Sequence, residues 1–115
     1  MPAMLRSYVV LAVVAAFAGC YADEDEFSAR MAELQCIHWQ ACRPVLVEDV
    51  DECTDGLVDA DWLQLNPGCY EAPAGRACVR AYRRQRHDCQ LEWWAGLAEC
   101  EPLARCLLYA SSRGD

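Results

Sequence analysis

Cysteine dominates the chemistry open to this 115-residue chain, occurring nine times. Thiols at that density either hold a soft metal or pair as disulfides. A structural zinc site draws on cysteines roughly two to four residues apart, so that two thiolates of one turn reach the ion. Here the nearest neighbours, Cys36 with Cys42 and Cys100 with Cys106, stand six residues apart, and no Cys-x-x-Cys occurs. The spacing therefore points to disulfides formed in an oxidising compartment, with no metal held by cysteine. With Cys20 set aside, Cys36, Cys42, Cys53, Cys69, Cys78, Cys89, Cys100 and Cys106 form an even set that can pair completely. Composition and spacing leave the pairing itself open.

The other reactive side chains offer less. His38 falls on an apolar helical stripe, where a packed, hydrogen-bonded ring is expected rather than a ligand. His87 ends an arginine-rich helix, where a cation suits the C-terminal dipole. Beyond residue 20 the serines are Ser28, Ser111 and Ser112, none in a strand-turn-helix setting that would sharpen a nucleophile. Paired cysteines supply no thiolate. The expectation is a chain without catalytic residues or cofactors, not an enzyme. The segment 51–61 has the outline of a calcium loop, with Asp51, Asp55, Gly56, Val58 and Asp59 at suitable positions. Cys53 and Trp62 occupy places where ligands belong, the latter where a carboxylate should close the site. Calcium binding thus stands as an alternative function and not the leading one.

Charge is divided along the chain. Residues 23–61 hold twelve acidic residues and two arginines, whereas residues 62–115 hold six and seven. Within the second half, Arg76, Arg80, Arg83, Arg84 and Arg86 make an interaction patch for an acidic protein, phosphate or polysaccharide, unless the acidic half screens them. A net charge of −8 speaks against general nucleic-acid binding.

These residues need elements to position them. Phe27, Met31, Leu34, His38 and Ala41 recur at helical steps and mark a helix from about residue 25 to 42, ended by Arg43-Pro44. Val47, Val50, Cys53 and Leu57 make a second stripe, which Gly56 is placed to stop early. Asn66-Pro67-Gly68 signals a turn. Pro73 opens the clearest helix, to about Asp88, with Ala74, Ala77, Cys78, Ala81, Tyr82 and Gln85 on one face. A further helix carries Leu91, Trp94, Leu97 and Ala98, and Glu101-Pro102 starts a last one. No strand alternation is found, so the fold class is all-α: a small disulfide-stapled bundle of four or five short helices. Alanine-rich faces bury little area, which is why staples are needed. Cys78 and Cys89, eleven residues apart on one predicted helix, are about 16 Å apart along its axis. Each must therefore bond outside that helix, to a cysteine of the first two helices or the last. Six residues of helix rise about 9 Å, which likewise disfavours Cys36 with Cys42.

The start of the chain is an address. Arg6 precedes an unbroken apolar run of eleven residues, Tyr8 to Ala18. Its rise of about 16 Å is roughly half a bilayer core, which fits a signal peptide better than a span. The run ends at Phe17-Ala18-Gly19-Cys20, which resembles the lipobox of bacterial lipoproteins, although Phe17 replaces the usual Leu. That resemblance implies acylation of Cys20 and firm attachment to a membrane through an N-terminal lipid. The domain reading is a lipoprotein signal peptide at 1–19, a lipidated N-terminus and acidic tether at 20–26, the cysteine-rich helical domain at 27–110, and a tail at 111–115. Cleavage after Ala22 would instead release a freely secreted effector or inhibitor.

From Cys20 onward the chain is similar to the small cysteine-rich lipoproteins of myxobacteria. Cys69-Tyr70, Ala77-Cys78-Val79-Arg80-Ala81-Tyr82 and Cys89 carry that resemblance. It implies a place, the cell envelope and in particular the outer membrane, and a fold type. The expected function is a non-catalytic envelope module presenting a rigid surface to a protein or glycan.

Overall fold

A computed structural model describes residues 23–108. The signal peptide expected at 1–19, the acylation expected at Cys20 and the tail expected at 111–115 lie outside the described residues. Helix α1 spans Glu24–Cys42, α2 Val50–Asp59, α3 Ala72–Gln85 and α4 Glu101–Ala104, with two 3₁₀ turns, Trp94–Gly96 and Ala98–Cys100, between α3 and α4. The described residues contain no β-strand; Leu65 and Leu107 form an isolated antiparallel bridge. The chain is a disulfide-stapled all-α bundle.

Acidic residues open both of the first two helices. The Asp23 carboxylate accepts from the Glu26 amide at 2.8 Å, and Asp49 accepts from Glu52 at 3.1 Å. Each cap satisfies an orphan donor, and the acids that follow suit the positive end of the helix dipole. The acidic run is therefore the start of α1, and the tether expected over 20–26 gives way to helix at Glu24. Helix α1 ends at Cys42, and the Arg43 amide donates back to Trp39. Its inward stripe is Phe27, Met31, Leu34 and His38, whereas Ala41 is exposed.

Helix α2 runs through Gly56 to Asp59, and its stop lies further on. Asp61 takes φ +48°, the Trp62 amide donates to the Leu57 carbonyl, and the Asp61 amide donates to Val58. This is a Schellman arrangement with aspartate in the left-handed position usually held by glycine. None of the residues of α2 is fully buried. The predicted turn forms at Asn66-Pro67-Gly68: Gly68 has φ +76° and the Cys69 amide donates to Asn66, as a type II turn requires.

Helix α3 buries Gly75, Cys78, Val79, Ala81 and Tyr82. A side chain at Gly75 would collide with the Tyr70 ring, so glycine is what lets that ring close over the start of the helix. The helix stops at Gln85, short of the expected Asp88. The chain turns instead through Asp88, whose carboxylate accepts from the Gln90 amide while its carbonyl accepts from Leu91. Cys89 therefore lies beyond the helix. Its expected place beside Cys78 on one helical face is corrected, because the turn has to bring Cys89 to Cys42.

The helix expected around Leu91–Ala98 is replaced by the two 3₁₀ turns. Trp94, Leu97, Cys100 and Leu103 are all buried and recur every three residues, the period of a 3₁₀ helix and not of an α-helix. These side chains meet Phe27, Met31 and Leu34 of α1, Leu63 and Leu65, and the inner side of α3 in one core. Phe27 sits at its centre, 5.4 Å from the Tyr70 ring and edge-on to Trp94 at 6.4 Å.

Four disulfides lock this arrangement. Cys36–Cys53 ties α1 to α2, and Cys42–Cys89 ties the last residue of α1 to the turn after α3. Cys78–Cys100 ties α3 to the second 3₁₀ turn, and Cys69–Cys106 ties the segment before α3 to the one after α4. The closed loops run from 17 to 47 residues, so each bridge removes about 3–4 kcal/mol of chain entropy from the unfolded state.

Two predictions follow from the core. Cys78 and Cys100 are wholly buried, whereas Cys53 is partly exposed. Replacing Cys78 and Cys100 by Ala should cost about 4–5 kcal/mol, because small cavities add to the lost constraint, against about 3 for Cys36 and Cys53, whose loop is shorter. Urea melts of the two double variants check this, and equal losses would contradict it. Tyr82 is fully buried, its hydroxyl finds no partner, and burial pushes its phenol well above the ordinary range. The folded phenol stays protonated while the unfolded one ionises near pH 10, so stability is lost as pH rises above that value. Tyr82→Phe should flatten the decline by about 1 kcal/mol between pH 10 and 11. An unchanged slope in denaturant melts would count against a buried neutral phenol.

Candidate functional site

A cavity of about 480 Å³ opens where the start of α1, the end of α2 and the segment after it converge. Two hydrogen bonds build its wall. The Leu65 amide donates to the Glu24 carboxylate at 3.1 Å, and the Ser28 hydroxyl donates to the Leu63 carbonyl at 3.3 Å. The Schellman turn at the end of α2 then brings Leu57 and Trp62 to the same space, the apolar pairing that usually accompanies this motif. Leu57, Val58, Trp62, Leu63 and Leu108 give the groove an apolar lining, and Glu24, Asp25 and Asp61 give it carboxylates. Val58 and Leu108 remain 41% and 40% exposed, so its rim is open apolar surface.

A second hollow of about 300 Å³ lies at the other end of α2, between Leu46, Val47, Glu48, Asp49, Glu52 and Cys53. Beside it the α1–α2 loop exposes Val45 at 95% and Leu46 at 61%. Reading the sequence missed both hollows. Helical spacing places Val47, Cys53 and Leu57 on a stripe, but the apolar residues that open these hollows to solvent, Leu46, Val58 and Leu108, lie off it.

On α3, Arg80, Arg83 and Arg84 are exposed and Arg76 is half-buried. At 100° per residue these four fall within an arc of about 100°, on the side away from Cys78 and Tyr82. Arg86 lies past the helix end, and its guanidinium donates to the Arg83 carbonyl. The ion pairs found between described residues, Arg30–Glu33, Arg84–Glu99 and Arg105–Glu101, each stay within one half.

The segment 51–61 does not wrap a cation. Through Asp59 it is helical, so its carboxylates radiate outward, and Cys53 is tied to Cys36. Among the described residues no three His, Cys, Asp or Glu side chains come together as a metal would need.

His38 has a different task. It is 5% exposed, with Nδ1 2.9 Å from the Arg86 carbonyl and Nε2 3.0 Å from the Leu91 carbonyl. Both partners only accept, so a ring N–H donates to a carbonyl of this turn. Both nitrogens thereby face the turn that carries Cys89. Trp93 and Trp94 divide as their adjacency requires, Trp93 being 41% exposed and Trp94 buried. No family model, no curated protein and no solved structure matches the chain.

His38→Ala should therefore destabilise the domain by about 2–3 kcal/mol, since it strands a buried carbonyl and opens a cavity. Hydrogen exchange of the 86–91 amides should accelerate with it. Wild-type exchange in that turn would contradict the role given to the ring.

Proposed function

We infer that this chain is an exported, lipid-anchored module of a bacterial cell envelope, which binds an acidic protein or glycan through the arginine face of α3 and catalyses no reaction. The observation that carries the binding half is the division of α3. One side, with Cys78 and Tyr82 fully buried and Cys78 bonded to Cys100, is immobilised, and the other presents arginines on a fixed rail. Guanidinium groups suit carboxylates, sulfates and phosphates, which they grip through paired N–H donors. A rigid support reduces the ordering cost of that contact.

The anchored half rests on cysteine accounting. The four bridges consume the eight cysteines from Cys36 to Cys106, so the scaffold makes no demand on Cys20, which follows Gly19 at the end of the apolar run. Four disulfides fit a protein that folds in an oxidising compartment. Among the described residues no helix is long and apolar enough to cross a membrane. In this reading the attachment is the lipid, with outer-membrane placement the favoured site.

Metabolic labelling with a radioactive fatty acid should mark the wild-type protein, and Cys20→Ser should remain as an unlabelled precursor. A labelled Cys20→Ser would remove Cys20 as the anchor, and an unlabelled wild type processed to a soluble form would establish free secretion. For binding, Arg80→Gln with Arg83→Gln and Arg84→Gln should weaken retention on an immobilised sulfated polysaccharide by about tenfold at low salt. Undiminished retention would remove the arginine face from the function.

A further inference from the structure

We propose that the groove at the end of α2 is a second binding site, of opposite sign to α3, and that it takes a basic, apolar peptide segment of another protein. Three properties of the groove select that occupant. Leu57, Leu63 and Leu108 provide an apolar surface that water covers at a cost. Glu24, Asp25 and Asp61 bring three carboxylates to the same space, and none of them forms an ion pair with a described basic side chain. The half of the protein that builds the groove, residues 23–61, holds twelve acidic residues against two arginines. An anionic or purely aliphatic ligand would leave those carboxylates uncompensated at a partly desolvated surface, so the complementary partner carries a cation beside an apolar side chain. The indole of Trp62 lines the same space, where a ring face is favourable to a guanidinium or ammonium.

Rigidity supports the site as well. Leu57 and Trp62 are fixed by the Schellman turn, and Glu24 and Ser28 are tied to the Leu63–Leu65 segment, so most of the lining is in place before a ligand arrives. At about 480 Å³ the space matches one or two side chains of a peptide and not a whole folded surface. The α3 face and this groove would let one module bridge an acidic partner and a basic one.

The test uses the full mature chain and three fluorescein-labelled octapeptides, alternating Arg/Leu, Glu/Leu and Arg/Ser, read by fluorescence anisotropy. The Arg/Leu peptide should bind about tenfold more tightly than either counterpart, since each lacks one of the two matched properties. Asp25→Asn with Asp61→Asn should weaken it about tenfold. Asp51→Asn with Asp55→Asn, an equal charge change on α2 outside the groove, should leave it within about twofold. Equal weakening by the two double variants would reduce the effect to overall charge and overturn the proposal, as would an Arg/Leu peptide binding no better than Arg/Ser. A chain ending at Leu108 that binds the peptide tenfold more tightly than the full chain would show the groove filled by the protein's own C-terminal segment, and would equally overturn it. Fatty-acid labelling and polysaccharide retention are read on other residues, so they stand or fall separately from this result.

Discussion

The last turn of α1 is held to the turn at 86–91 by one covalent bond and by a buried imidazole, and the relation between the two halves of the molecule depends on that clasp. Cys42 and His38 are four residues apart on α1, so they emerge on the same side of the helix. Cys42 takes Cys89, and His38 takes the carbonyls on either side of it. The bridge closes the longest of the four disulfide loops, 47 residues. Without that clasp, the acidic α1–α2 pair would meet the rest of the domain through the apolar core around Phe27 and Tyr82 and the hydrogen bonds of Glu24 and Ser28 to the 63–65 segment. The early end of α3 follows from the same constraint. A helix continued to Asp88 would carry Cys89 along its axis and away from Cys42.

The core is built for a chain with few large aliphatic residues. Aromatic rings and half-cystines take their place, with Trp94, Tyr82, Phe27, Cys36, Cys78 and Cys100 among the largest side chains wholly removed from solvent. Such a core leaves polar loose ends. The Tyr82 hydroxyl and the Trp94 indole are buried without partners, each a cost that apolar burial and four covalent loops have to offset. The result is a stiff framework whose two outer faces differ in sign. Arginines stand along α3, while carboxylates and exposed apolar residues surround α2, which lacks a buried residue and depends on Cys36–Cys53.

Where a residue's role was set by local chemistry, it could be read directly. Pro44 ends α1, Asn66-Pro67-Gly68 turns, and helical spacing finds Phe27, Met31, Leu34 and His38. The disulfide character of the cysteines followed from the absence of metal-ligand spacing, and the exclusion of Cys78–Cys89 and Cys36–Cys42 agrees with the pairs observed. What escaped was decided at a distance. Leu91 to Ala98 reads as amphipathic helix, yet its buried residues keep a three-residue period because they fill a narrow space against α1 and α3. Gly56 looked like a stop, whereas the left-handed residue is Asp61, a choice fixed by packing Trp62 onto Leu57. Gly75 gave no signal, since its reason is a tyrosine ring five residues earlier. The groove was invisible for the same cause: its lining comes from three segments brought together only by the fold.

The claim on which all of this rests is the pairing of the cysteines, and peptide mapping under non-reducing conditions tests it most directly. Trypsin with chymotrypsin separates all eight, the cut after Trp39 dividing Cys36 from Cys42. Mass spectrometry should then find the linked pairs Cys36–Cys53, Cys42–Cys89, Cys69–Cys106 and Cys78–Cys100. A peptide joining Cys78 to Cys89, or Cys42 to any cysteine other than Cys89, would dissolve the clasp and with it the fold described.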